Sequence, residues 1–334
     1  MNLQHTPPSL LVLWRVTERC NLGCRFCGYD RSLARLRREV RPDTALAFGA
    51  VLGRYRRETG RRVLVSWLGG EPLLWAPLAE ISAQYRQRHD LDLSLTTNAT
   101  RLARPEVRAM LLQHYAEVTV SVDGDAPFHD SVRGQSGLHA SLVKSLSALA
   151  NAKRAAGAGP LLRANVILMR GNVESFPALC RELTRWGIEE ITFNQLGGNE
   201  RPEFFPDNRL LPQQVHLLRR ELPPLRAELS RLGVVLRGSA QYLERMAASS
   251  LDSAIAPADC APGQALLFID EDSYVSPCSF TSRDYGVPLA DIDTPAALAA
   301  LPMRFAALRN GQRAPACADC HSTQHFGKFA AVTP

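Results

Sequence analysis

Short apolar runs alternate with longer helical patterns through the first two thirds of the chain. This rhythm leaves few folds open. Runs at 10–16, 63–68, 91–96, 118–122, 162–168 and 190–195 predict strands. Helices are predicted between and after them at 44–57, 77–88, 105–113, 138–155, 173–186 and 212–232, the first with Pro42 and Asp43 at its start. Six βα units in a row imply a parallel sheet with helices outside. The count falls short of a closed eight-unit barrel, so the expected fold is α/β, an open partial (β/α)6 barrel of parallel strands. In such sheets functional groups gather at the carboxyl ends of the strands.

After Gly233 the rhythm changes. A short strand at 234–237, a helix at 241–248 and a hairpin of 265–269 with 274–277 are predicted. The remainder holds four cysteines and little apolar periodicity. The expected division is therefore a barrel domain at 1–237 and a small cysteine-rich domain at 238–334. Of the 334 residues, 46% are hydrophobic, enough for a core. No apolar run approaches the length of a membrane span, and the polar start, Met1–Ser9, does not read as a signal peptide. A cytoplasmic protein with no membrane partner is expected. The net charge of +6 owes much to arginines, as at 31–38, with no aromatic residues between them. That reads as a solvated surface rather than a nucleic-acid platform.

Eight cysteines fall mainly at the two ends of the chain, which favours metal over disulfides in a reducing compartment. Cys20, Cys24 and Cys27 stand in CxxxCxxC spacing just after the first strand. Thiolates suit iron–sulfur clusters and zinc. A structural zinc wants a fourth ligand, whereas a cubane with three protein ligands keeps one iron open. Further signals follow the next strands: Gly69-Gly70-Glu71-Pro72, then Thr97-Asn98-Ala99, then Ser121-Val122-Asp123-Gly124 leading to His129, Asp130, Arg133 and Gly134. Glycines allow close backbone approach, and Glu71 suits an ammonium partner. On the fifth strand Arg163, Asn165 and Ile167 share a face, and Asn194 and Gln195 end the sixth.

Taken together, these motifs resemble the radical S-adenosylmethionine (SAM) superfamily. The resemblance implies a [4Fe-4S] cluster on Cys20, Cys24 and Cys27 whose open iron binds SAM. It implies SAM contacts from Phe26, Gly69, Gly70, Glu71, Pro72, Asn98, Ser121, Arg133 and Gln195. It also implies reductive cleavage of SAM to a 5′-deoxyadenosyl radical that takes hydrogen from a substrate, with electrons from a donor such as flavodoxin or ferredoxin. Asp123 and His129 also admit turn-closing roles.

Cys260, Cys278, Cys317 and Cys320 resemble the auxiliary-cluster ligands of the SPASM and twitch groups, with Ser273 where glycine is usual in the hairpin. Four cysteines fit the shorter twitch form and imply one auxiliary [4Fe-4S] cluster. The alternative for this quartet is structural zinc. Cys180 reads as a buried apolar residue, and His321 and His325 as neighbours of the site or surface residues. The resemblance implies oxidation or crosslinking of a ribosomally made peptide or protein side chain. The alternatives are a dehydrogenase of a small metabolite, such as a cyclitol or amino sugar, and a non-enzymatic zinc scaffold. Neither a cobalamin domain nor a peptide-recognition domain ahead of the barrel is expected. The sequence assigns no catalytic residue.

Overall fold

The computed structural model describes residues 10–257 and 259–327. Met1–Ser9, the stretch read as lacking a signal peptide, lies outside the described residues. Ten strands form one sheet: β1 Leu10–Thr17, β2 Val63–Gly69, β3 Asp92–Thr97, β4 Glu117–Ser121, β5 Leu161–Leu168, β6 Glu190–Gln195, β7 Val235–Leu236, β8 Leu266–Ile269, β9 Tyr274–Ser276 and β10 Val287–Pro288. Their order is β10-β9-β8-β1-β2-β3-β4-β5-β6-β7. The strands β8 and β1 through β7 pair in parallel, and the hairpin continues antiparallel from β8.

Period-two alternation sets the two faces of each strand. Val12, Trp14, Val65, Trp67 and Leu95 lie buried on the helix-covered face. Trp14 and Trp67 pack with ring centroids 5.8 Å apart, and Tyr85 reaches within 5.2 Å of Trp67 from the helix Leu78–His89. The other face carries polar residues into a lumen, among them Ser66, Ser94, Thr96, Thr119 and Asn165.

The six expected parallel strands are present, and the sheet is wider than expected. β8 lies beside β1 in register from Leu11↔Leu266 to Trp14↔Ile269. Two longer helices also stand where none was expected, besides the single turns Phe205–Asn208 and Ser282–Tyr285. Ala126–Arg133 begins on Asp125, whose carboxylate accepts from the Phe128 N–H at 3.0 Å. Pro295–Gly311 begins on Thr294, which caps Ala297. Its buried stripe of Leu298, Leu301 and Phe305 is blurred in the sequence by alanines all round and by Pro302 inside. Among the described residues no helix is long and apolar enough to cross a membrane.

Candidate functional site

The three N-terminal cysteines sit on the loop that leaves β1. The chain between Thr17 and Cys20 runs against the end of β2, where Gly70 N–H donates to Thr17 O at 2.8 Å and Glu71 N–H to Arg19 O at 2.7 Å. This contact explains the two glycines. A Cβ on Gly69 would strike the Thr17 carbonyl, and one on Gly70 the Arg19 carbonyl. The protein's own backbone therefore makes a close approach at both glycines. We expect Gly70→Ala to cost about 1–3 kcal/mol, since both obstructing groups are backbone. Gly311→Ala, whose Cβ meets nothing within 4 Å, serves as the control. Urea midpoints of the two variants check this.

From the opposite side the loop rests on the helix Ala126–Arg133. Arg25 N–H donates to Val132 O at 3.0 Å. Gly134 has φ 68 and lies so close to the Gly23 carbonyl that a side chain there would collide with it. Arg133 Nε donates to Asp123 Oδ2 at 2.7 Å, Arg133 Nη1 reaches Cys24 Sγ at 3.9 Å, and its guanidinium stands 5.3 Å from the Phe26 ring centre. Both members of the ion pair are buried.

Other donors converge on the sulfurs. Leu22 N–H lies 3.5 Å from Cys20 Sγ, Tyr29 N–H 3.4 Å from Cys27 Sγ, and Asn98 Nδ2 3.8 Å from Cys20 Sγ. Burial pushes the Cys24 thiol up to about 11 and Cys27 up to about 12, and raises Cys20 as well. Cys24 and Cys27 are raised further by the charge of neighbouring thiols. Buried Cys24 and half-buried Cys20 and Cys27, each with an N–H donor near its sulfur, fit an anionic, thiolate-bound cluster, whose positive irons would draw the protons off. Among the described residues no three such ligands close on a point suited to one metal ion. A cubane takes one thiolate per iron, so its ligands stand apart.

Glu71 is fully buried, and its three acceptor contacts are within the protein: Thr97 Oγ1 at 2.8 Å, Asn98 N at 2.7 Å and Leu73 N at 3.1 Å. Burial pushes its carboxyl up to about 7 against the pull of these donors. Glu71 therefore ties the ends of β2 and β3 together, and Asn98 extends that tie to Cys20 and, at 3.0 Å, to Asn21 Oδ1. Pro72 is buried at the start of the turn after Glu71. Ser121 ends β4, and Gln195 ends β6 with its N–H on Tyr242 Oη at 3.1 Å. The carboxyl ends of β2, β3, β4 and β6 thus carry these residues toward the same side as the cysteine loop.

Asp123 does more than close a turn. Its Oδ1 accepts from Ile167 N at 2.9 Å, and its own N–H donates to His129 Nδ1 at 3.1 Å. Burial, with the Arg133 charge beside it, pulls His129 down to about 4. A histidine that accepts there must be neutral. Folded His129 therefore binds fewer protons than unfolded His129 between pH 6.5 and 4. Its contribution is full above pH 6.5 and is lost as pH falls toward 4, by up to about 3 kcal/mol. Urea unfolding from pH 7 to 4.5 should show a steeper loss in the native protein than in His129→Asn.

The lumen has a volume of about 790 Å³. Its far wall includes Cys260, Cys278, Cys317 and Cys320. All four line this one lumen, and among the described residues they do not close on a point suited to one metal ion. Arg309 Nη1 approaches Cys260 Sγ at 3.2 Å. Arg163, expected to face inward, does so with Glu117 at 3.0 Å and Glu190 at 2.5 Å. Ser273 holds φ 66 in the hairpin turn, which accounts for glycine being usual there. Cys180 is buried in the helix Phe176–Arg185, as expected.

Several supporting residues carried no sequence signal. Glu200, beyond β6, accepts from Gly28 N at 2.7 Å, and Arg201 pairs with Asp30 at 3.1 Å. Arg38 joins buried Glu18, just before the triplet, to Glu271 in the hairpin at 2.9 Å. These partners are distant in sequence and belong to no motif.

Three cysteines on the loop after the first strand of a parallel barrel, with a glycine-bearing turn locked beneath them, define the class. The family model of the radical SAM superfamily matches residues 14–183, and the chain belongs to that superfamily. It is an enzyme of a family that binds SAM and a [4Fe-4S] cluster. The chain is 32% identical over 191 residues to a PqqA peptide cyclase of Xanthomonas campestris pv. campestris, covering 55% of this chain and 46% of that protein. It is 25% identical over 183 residues to the AdoMet-dependent heme synthase of Nitratidesulfovibrio vulgaris, covering 54% and 47%. The chain thus spans about half the length of the curated relatives it matches. In fold it is similar to anSMEcpe with bound AdoMet, with a TM-score of 0.65 and 16% identity over 96% of this chain and 88% of that one. It is also similar to Streptococcus suis SuiB bound to precursor peptide SuiA, with a TM-score of 0.61 and 18% identity over 82% and 60%.

Proposed function

We propose that this enzyme removes hydrogen from a ribosomally made peptide or protein side chain, oxidising or crosslinking it. The observation that carries the reading is one lumen of about 790 Å³ lined by leucines and polar residues of the strands and by four cysteines, with the cysteine triplet above the strand ends. In this reading Cys20, Cys24 and Cys27 hold the SAM-binding cluster, and Cys260, Cys278, Cys317 and Cys320 hold an auxiliary [4Fe-4S] cluster in a domain of residues 238–334. When bound, the reduced first cluster supplies the electron that splits SAM into methionine and a 5′-deoxyadenosyl radical.

The protein's own residues do the positioning. Phe26, Gly69, Gly70, Pro72, Asn98, Ser121 and Gln195 line the SAM side. Glu71 fixes the turn by its bonds to Thr97 and Asn98. Asp123 orients Arg133 against the loop of the triplet. The polar strand residues hold substrate below. The PqqA peptide cyclase among the relatives and the SuiA-bound SuiB among the similar folds support a peptide over a small metabolite.

Deuterium tracing tests the substrate. With SAM and either dithionite or a flavodoxin or ferredoxin system, a deuterated precursor peptide should pass its label into 5′-deoxyadenosine. Label arriving only from a deuterated cyclitol or amino sugar would replace this reading with the small-metabolite dehydrogenase.

A further inference from the structure

Arg245 is among the most deeply buried charged residues described, with a side chain 1% exposed on the helix Ala240–Ser250. Burying a guanidinium is costly unless its head group is well used. This one reaches the segment between the last two cysteines. Arg245 Nη1 donates to Asp319 Oδ1 at 2.5 Å, and Nη2 to Asp319 Oδ2 at 3.2 Å. Nη2 also lies 3.0 Å from His321 Nε2, and that ring stands 3.2 Å from Asp319 Oδ2. Asp319 Oδ1 accepts in addition from Ile255 N at 3.0 Å, and Ile255 O accepts from Cys320 N at 2.8 Å.

The N-terminal half of the same helix is fixed by two further contacts. Ser239, its N-cap, accepts from Tyr242 N and donates to Phe326 O at 2.5 Å. Tyr242, one turn from Arg245, accepts from Gln195 N at the end of β6. Arg245 Nε is buried without a hydrogen-bond partner. The fork is thus aimed wholly at Asp319 and His321, at the expense of its third nitrogen.

We infer that Arg245 is a positioning residue for the Cys317/Cys320 pair: through Asp319 it holds these two sulfurs toward Cys260 and Cys278. The inference rests on the reading that this quartet binds a cluster. Bidentate geometry makes the guanidinium suited to the task, since a lysine offers no planar fork.

The test uses the full chain, reconstituted anaerobically, as native protein, Arg245→Met, Asp319→Ala and the Cys317→Ala/Cys320→Ala pair. Iron and sulfide per chain, iron release to a chelator and low-temperature EPR are recorded. Arg245→Met should release the quartet's iron about tenfold to a hundredfold faster than native protein, while the triplet's iron and its SAM-induced EPR change persist. Asp319 is 41% exposed, so water replaces its lost partner and the variant has a route to fold. If Arg245→Met does not accumulate, Asp319→Ala probes the same contact from its exposed side and should show the same fast release. Native release rates and an unchanged quartet EPR signal in the folded variants would overturn the positioning role and leave the cluster reading intact. Equal iron in native protein and the Cys317→Ala/Cys320→Ala pair would instead remove the cluster reading, and the inference with it.

Discussion

Replacing Asp123 by alanine is expected to destabilise the protein by about 3–5 kcal/mol and to strip iron from the N-terminal cysteines. Asp123 is fully buried, and Arg133 is 7% exposed. Removing the carboxylate leaves a guanidinium with no counter-charge at the 2.7 Å contact. It also frees the Ile167 N–H, which the carboxylate now accepts. Arg133 is what reaches Cys24 from below, and its helix supports Arg25 and Gly23. The loop should loosen where the cluster sits. Urea unfolding gives the first quantity, and iron per chain after anaerobic reconstitution gives the second. Native iron content in a folded Asp123→Ala protein would separate the ion pair from the cysteine loop.

Glu190→Leu should cost a similar amount, about 3–5 kcal/mol, with the opposite pattern in metal. Glu190 is 2% exposed between Arg163 at 2.5 Å and Arg237 at 2.7 Å. Without it Arg237 loses this partner, and Arg163 loses one carboxylate while keeping Glu117. These groups line the lumen well away from the triplet. Stability should fall while the SAM-binding iron stays, as a urea midpoint paired with EPR would show. The additional variant Arg237→Met tests the cause. Removed together, Glu190 and Arg237 should cost less than the sum of the two single losses, because one contact is counted in both.

The order of strands and helices was legible because each βα unit carries its own local signal. An apolar run, a turn and a capped helix can be read without any distant partner. The cysteine triplet and the glycine turn were legible for the same reason, being contiguous. What escaped was long-range. β8 pairs with β1 across roughly 250 residues, and no local pattern encodes that neighbour. Glu200 at Gly28 and Arg245 at Asp319 are single side chains meeting loops far away. Their residue types fit any surface loop or helix. Asp319 did stand inside the final cysteine pair, but its partner was visible only in three dimensions. The helix Pro295–Gly311 escaped because alanine, proline and exposed Met303 blur its apolar face. The glycines at 69 and 70 were legible as a motif, but their packing against the Thr17 and Arg19 carbonyls was not, because those partners lie roughly fifty residues away.

The most direct test of the account counts iron and acid-labile sulfide after anaerobic reconstitution, in native protein and in Cys20→Ala/Cys24→Ala/Cys27→Ala, and assays 5′-deoxyadenosine from SAM and dithionite. The account predicts about eight irons in the native chain and about four in the variant, with 5′-deoxyadenosine from the native chain alone. About four irons in the native chain and none in the variant would contradict the auxiliary cluster. Zinc in place of iron, with no 5′-deoxyadenosine, would contradict the central claim itself.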